Sequence, residues 1–471
     1  MRASSVLIRD AELGGHENGG GRIVDVRLSD GIVAGVGCLT PLPGEVVLDA
    51  RGGALLPGLH DHHIHLFALA AAGESIRCGP PDVIDEHGLA ACLQNAPGQG
   101  WIRGIGYHEH VAGDMDRAWL DRHCPDRPVR IQHRGGRRWI VNSAGLALLM
   151  AAGDAPPPGV DVARGHIDDA DAWLRQRLSA TFPDLAATSA VLASYGVTGL
   201  TEMTPSNDGH AIDYLASQQA NGALLQQVLL AGRADMPFAG SMEVRPILTK
   251  IHLHEARLPP FGDICRTIAD SHDSGRPVAV HCVTRTELVF TLAALGEAGV
   301  LAGDRIEHAS VAPDELVAQM MALGIQVVTQ PNFIRERGDA YLRDVEPDDL
   351  PFLYRCAGLT RAGLVLAGGT DAPFGHADPW AAMQAAVERR TMAGAVVGVE
   401  ERLSPEDALG LFLARGEALG TGRHVGTGVP ADLCLLRAPW SKARAHLCSD
   451  LVRATIRAGA LIFQRVDEAP F

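Results

Sequence analysis

Residues 57–66 read Pro57-Gly58-Leu59-His60-Asp61-His62-His63-Ile64-His65-Leu66, an apolar run that turns into a string of histidines. On a β-strand alternate side chains share a face, so Asp61, His63 and His65 point together while His60 and His62 point the other way. Two imidazoles two residues apart on an inward face can grip one cation. A buried strand that ends in such groups is what a parallel α/β barrel carries at its C-terminal mouth.

Seven further apolar runs share this character, at 197–203, 227–230, 245–252, 277–281, 305–308, 325–329 and 364–371, and with 54–66 they make eight. Helix-length amphipathic segments fall between them, for example at 259–274, 285–298, 313–323 and 379–393. Eight strands alternating with helices close into a (β/α)8 TIM barrel, so the expected fold class is α/β. Both ends of the chain read differently. Short β-like runs at 5–9, 22–28, 32–36 and 46–48, and again at 432–437, 451–458 and 460–464, are separated by Gly-rich turns. The expected organisation is a composite β-sandwich domain from 1–53 and 421–471 and a barrel over 54–420. An insertion over about 75–187 does not fit the strand–helix repeat.

The composition narrows the function classes. A chain of 471 residues with 46% hydrophobic and 21% charged residues is an ordinary globular mix. A net charge of −15 argues against a nucleic-acid or anionic-membrane partner, since both need clustered positive charge. Nine cysteines without a CxxC pair point to reduced thiols. The start of the chain shows no long apolar stretch of a signal peptide, and no run is long enough to span a bilayer. A cytoplasmic protein acting on a small-molecule substrate is expected, and a homodimer is compatible with the sequence. Of 41 Lys plus Arg residues only Lys250 and Lys442 are lysines.

Four more chemistry-bearing residues follow β-like runs: Lys250, His281, His308 and Asp371. Taken singly, each has an ordinary reading. A lone His at a strand end is most often just hydrogen-bonded, an Asp after Gly-Gly-Thr can cap a helix, and a lone lysine most often snorkels or pairs. All of them at strand ends, in one order, are hard to read as coincidence.

The order His-x-His, Lys, His, His, Asp on strands one, four, five, six and eight resembles the binuclear amidohydrolase superfamily. Within it the chain is similar to the amidohydrolase-3 group, which includes N-substituted formamide deformylase-like proteins. The likeness also runs through Gly100-Trp101-Ile102, Val141-Asn142-Ser143, Arg305-Ile306-Glu307-His308-Ala309, Gln330-Pro331, Thr370-Asp371 and Gly428-Val429-Pro430-Ala431-Asp432-Leu433. It implies two divalent cations, zinc by ligand type although iron or manganese suit the same set. His63 and His65 would hold one, shared with Asp371, and His281 and His308 the other. Lys250 would bridge both as an Nζ-carboxylate. A plain ammonium would repel cations, a carbamate supplies two oxygens, and burial makes the neutral amine that carboxylation needs.

The implied reaction is hydrolysis of a non-peptide carbon–nitrogen bond by a metal-bound hydroxide, with Asp371 as the catalytic general base and then acid. Three places depart from the family pattern and bear on the substrate. Arg137 stands near where many relatives have a histidine, His252-Leu253-His254-Glu255 follows the lysine, and Cys282-Val283-Thr284-Arg285 follows His281. Arg137 and His252 are therefore candidate substrate contacts. Ester, lactone or cyclic-amide hydrolysis stays open on the same site. A mononuclear deaminase is disfavoured because 282–286 carries no glutamate. A non-catalytic barrel would be expected to have broken ligands, and none of the six is broken.

Overall fold

The computed structural model describes residues 5–18, 20–80, 82–178, 182–237, 241 and 243–465. The parts of the expected segments at 1–4, 19, 81, 179–181, 238–240, 242 and 466–471 lie outside them. Two compact units emerge, Met1–Leu66 with Leu185–Phe471, and Phe67–Asp184.

The larger unit is built on eight parallel strands, each bonded to its sequence neighbour. In chain order they are β1 (Leu59–Ile64), β2 (Val197–Glu202), β3 (Gln227–Gly232), β4 (Val244–His252), β5 (Val278–Cys282), β6 (Arg305–His308), β7 (Gln326–Thr329) and β8 (Leu366–Gly368). The last strand returns to the first: Asp371 N–H donates to the His63 carbonyl at 2.7 Å and His65 N–H to the Ala372 carbonyl at 2.9 Å. The fold is a (β/α)8 barrel. Its strands are apolar on both faces, as Val278, Ala279 and Val280 show, because helices cover the outside. Helix Phe261–Asp273 turns Ile264 and Ile268 onto Val278 and Val280. Helix Arg285–Ala298 is started by a capping box in which Thr284 and Glu287 satisfy each other's end of the turn.

The expected strand over 54–66 is in fact two. Leu55–Pro57 pairs antiparallel with Leu433–Leu436 in a four-stranded sheet, and only Leu59–Ile64 joins the barrel. The break falls at Gly58, where a Cβ would lie 2.3 Å from Thr198 Cγ2, so only glycine lets the chain cross at that point. That sheet and a second one made from the first fifty residues share one apolar cluster, which includes Ile8, Val26, Leu55, Leu433 and Ile456. The expected strand over 364–371 is also shorter, ending at Gly368.

The unit Phe67–Asp184 follows β1 and carries its own six-stranded sheet and core, with Leu89, Trp119, Val129 and Ile131 among its buried residues. Among the described residues no helix is long and apolar enough to cross a membrane.

Candidate metal centre

Strand register sets the level of each group at the mouth. His252 stands opposite His281, and His281 opposite Glu307. Lys250 is two residues back on β4 and buried. The ring centres of His281 and His308 are 4.5 Å apart, those of His63 and His308 4.9 Å, and those of His252 and His281 4.4 Å. The ligand atoms of His63, His65 and Asp371 all lie within 4.8 Å of one another, with Asp371 Oδ1 3.2 Å from His65 Nε2 and 3.5 Å from His63 Nε2. Six of the eight residues singled out from the sequence, together with His252, therefore converge at one end of the barrel. Arg137 lies in the other unit, where Asp169 takes its guanidinium in a two-pronged pair, Nε at 2.6 Å.

Two departures from regular geometry make the convergence work. Glu307 and His308 are consecutive, so an extended strand would send them to opposite faces. Yet Glu307 bonds His63 and the His308 ring packs against it. His308 (φ +72°) and Ala309 (φ +47°) sit in the left-handed region, which breaks the alternation at the strand end. Asp371 is left-handed as well, at φ +55°. Such backbone costs about 1–3 kcal/mol at a non-glycine residue and persists where the surroundings hold it. Gly369 makes the approach of this loop to the first strand feasible, since a Cβ there would be 2.6 Å from the His63 amide nitrogen.

The histidines of β1 separate into pairs. His60 bonds Thr201 Oγ1 at 2.9 Å, and its ring lies 4.6 Å from that of His62, away from the Asp371 cluster. Asp61 does not join His63 and His65. It accepts from Thr370 Oγ1 at 2.5 Å and from the Thr370 and His63 amides at 3.0 and 3.1 Å, tying β1 to the loop that carries Asp371. The β1–β2 register explains why simple alternation misplaces it: Gly199 pairs with His60 and Glu202 with Ile64, so β1 holds one extra residue there, a bulge.

Several residues that sequence reasoning passed over orient the candidate ligand rings. Glu307 Oε2 is 2.5 Å from His63 Nδ1, Gln330 Oε1 is 2.7 Å from His308 Nδ1, and Thr204 Oγ1 is 3.2 Å from His65 Nδ1. Glu307 and Gln330 stood in segments quoted for the family likeness, and their places beside His308 and after β7 were the available signal.

The electrostatics suit cation binding. Burial, then the charge of Lys250, keeps the His63 imidazole far below its usual range, and burial with neighbouring cationic groups does the same for His281 and His308. Crowding by the cleft walls and Lys250 hold His252 down at about 4. These rings are neutral, the form in which imidazole binds a metal. Burial alone would raise the Asp371 carboxyl, but the His65 hydrogen bond and the charges of His63, His65 and Arg337 keep it below the usual carboxylate range. Burial brings the Lys250 amine down to about 8 against the pull of Glu307 and Asp371. Among the described residues its Nζ has no hydrogen-bond partner, and neither has Gln330 Nε2. A buried amine ringed by neutral imidazoles and a carboxylate fits a divalent-metal centre.

Residues 46–463 match the model of the family described as Amidohydrolase family. The chain is 26% identical to N-substituted formamide deformylase of Arthrobacter pascens, over 93% of this chain and 95% of that one. In fold it is similar to a metal-dependent hydrolase of Pyrococcus horikoshii (TM-score 0.76, 20% identity, 92% of this chain and 97% of that one). It is also similar to N-isopropylammelide isopropylaminohydrolase of Burkholderia multivorans (TM-score 0.53, 18% identity, 97% and 98%). The chain belongs to the amidohydrolase family and is a hydrolytic enzyme acting on non-peptide carbon–nitrogen bonds.

Proposed function

We propose that this protein cleaves the amide bond of a small molecule at a centre of two divalent cations, held by His63, His65 and Asp371 on one side and His281 and His308 on the other, with Lys250 between them as an Nζ-carboxylate. The observation that carries the reading is Lys250: a buried amine at the foot of four histidines, with no partner for its Nζ among the described residues. An ammonium there would oppose metal binding. A neutral amine adds to carbon dioxide, forms an N–C bond, releases one proton, and becomes a carboxylate anion that would help hold the cations. The lowered proton affinity of Lys250 favours that step.

Bound cations would supply Lewis-acid polarisation of the scissile carbonyl and acidify water. The remaining work falls to the chain. Glu307, Gln330 and Thr204 hold the rings of His63, His308 and His65 at their Nδ1 atoms, which leaves each Nε2 for coordination. Asp371, ionised at neutral pH, accepts the proton of the attacking water and returns it to the leaving nitrogen. The family match and the formamide-cleaving relative support amides as the substrate class. Zinc is the proposed metal on ligand type, imidazole with carboxylate.

Metal per chain should be measured first, and then formate or acid release from formamides and N-acyl amino acids, with lactones as a control class. Two metals per chain with amide cleavage is the expected result. Cleavage of lactones alone would overturn the substrate class.

A further inference from the structure

Beside the candidate ligand cluster stands a guanidinium that, among the described residues, forms no ion pair. Arg337 lies in the second turn of helix Asn332–Asp344, which follows β7. Its Cζ is 4.0 Å from the centre of the Phe333 ring, and one NH2 group donates to the Phe374 carbonyl at 2.6 Å. Phe374 in turn packs edge-on against His65, ring centres 5.4 Å apart. Tyr341 and Tyr354, stacked at 6.0 Å, stand on the same cluster of aromatic residues as Phe333. The arginine is thus fixed by a ring face and a carbonyl, one residue removed from a proposed metal ligand.

Neither acidic group in reach pairs with it directly. Among the described residues no Asp or Glu forms an ion pair with Arg337. The adjacent Glu336 is turned to other donors, the His376 amide at 3.1 Å and Asn332 Nδ2 at 3.2 Å. Asp371 is engaged by His63 and His65. Burial works against this cation, and the Tyr341 and Tyr354 oxygens with the nearby Asp371 and Glu336 charges offset that loss without a direct ion pair. A guanidinium has five N–H donors in a planar fork that matches a carboxylate edge-on, and here the Phe374 carbonyl and the Tyr341 hydroxyl engage it without closing an ion pair. Its stacking on Phe333 orients the plane of that fork before any ligand arrives.

We propose that Arg337 receives a carboxylate borne by the substrate. The amides cleaved are then N-acyl amino acids or similar carboxylate-bearing amides, rather than neutral N-alkyl formamides. This rests on the amide-hydrolase reading given above and narrows it.

The test uses the metal-loaded full chain and matched pairs: the N-formyl derivatives of glycine, leucine and phenylalanine, each beside its neutral C-terminal amide, with formate release as the readout. A preference for the acid of about 100-fold or more in kcat/KM is expected, short of the roughly 10⁴-fold a polar site can reach because the neutral amide still offers a hydrogen-bonding oxygen. Arg337→Gln should collapse that ratio to within about threefold, and Arg337→Lys should keep part of it because the charge stays and the fork is lost. Metal content and thermal midpoint show that each variant is folded. Calorimetric binding of the same acids to Asp371→Asn protein, with and without Arg337→Gln, gives a readout independent of turnover; a loss of about tenfold or more in affinity is expected.

The outcomes separate the two readings. If acids and neutral amides are cleaved alike, or Arg337→Gln lowers both equally, the carboxylate subsite is overturned while amide hydrolysis stands. If no amide is cleaved yet the acids bind tightly and lose affinity in Arg337→Gln, the subsite stands and the reaction assignment fails. If the acids neither react nor bind, the subsite is overturned.

Discussion

Glu307 Oε2 lies 2.5 Å from His63 Nδ1, while the other oxygen of the same carboxylate is 2.5 Å from Arg305 Nε. This buried relay fixes the ring proton of His63 on Nδ1 and leaves the Nε2 lone pair facing Asp371. Glu307→Gln removes the charge that makes the bond strong and leaves Arg305 without its carboxylate. Metal affinity, measured by competition with a chelator, should weaken about 10- to 100-fold. An unchanged dissociation constant would show that Glu307 is only packing.

The two histidine pairs of β1 should behave differently. His63→Ala or His65→Ala should lower metal per chain to about half or less, because each removes one of three clustered ligand atoms. His60→Asn and His62→Gln should stay near full occupancy, since the two rings pack on each other, with His60 bonded to Thr201, and neither belongs to the His63–His65–Asp371 cluster. Elemental analysis of the four purified variants decides the matter. Equal loss in His62→Gln and His63→Ala would sink the assignment.

Why the barrel was legible while its ligand geometry was only partly so follows from the same residues. Strands buried on both faces, such as Val278–Cys282, leave an unbroken apolar run that sequence shows directly. The order of the candidate residues along the chain was legible too, because each lies at or near the end of such a run. Alternation within a strand was a poorer guide. It put Asp61 with His63 and His65, and a one-residue bulge in β1 moves it to Thr370 instead. It cannot bring Glu307 and His308 to one site, and left-handed backbone at His308 does. Long-range partners such as Glu307 for His63, 244 residues apart, leave no local pattern at all. Arg137 drew notice because it stands near where many relatives have a histidine, but its guanidinium is taken by Asp169.

Asp371 should be needed for turnover beyond any part in holding metal. Its carboxyl sits below the usual range because His65 and the neighbouring charges favour the ionised form, the state that a general base needs. Asp371→Asn keeps the shape and an oxygen ligand but cannot take a proton. With metal restored at saturating concentration, kcat should fall about 100-fold or more, the usual scale of a lost general acid–base group. Near-normal kcat with full metal would rule out the proton-transfer role.

Lys250 offers the sharpest test, because charge and chemistry make opposite predictions. If a cation were needed at the end of β4, Lys250→Arg would be a mild change. If a carbamate is needed, guanidinium cannot form one, so Lys250→Arg should lose the second metal and at least about 100-fold in kcat. Lys250→Ala should lose as much, yet short carboxylic acids such as acetate or propionate should restore part of the activity by supplying the bridging oxygens from solution. Added acid should not rescue Lys250→Arg, whose side chain fills the space. Lys442, exposed in the short helix Trp440–Ala443, gives the control: Lys442→Arg should match wild type in metal content and rate. Reloading metal-free protein with zinc in the presence of ¹³C-labelled bicarbonate should give a carbamate carbon signal in wild type that is absent from Lys250→Ala. Its absence from wild type, or full activity in Lys250→Arg, would defeat the bridge.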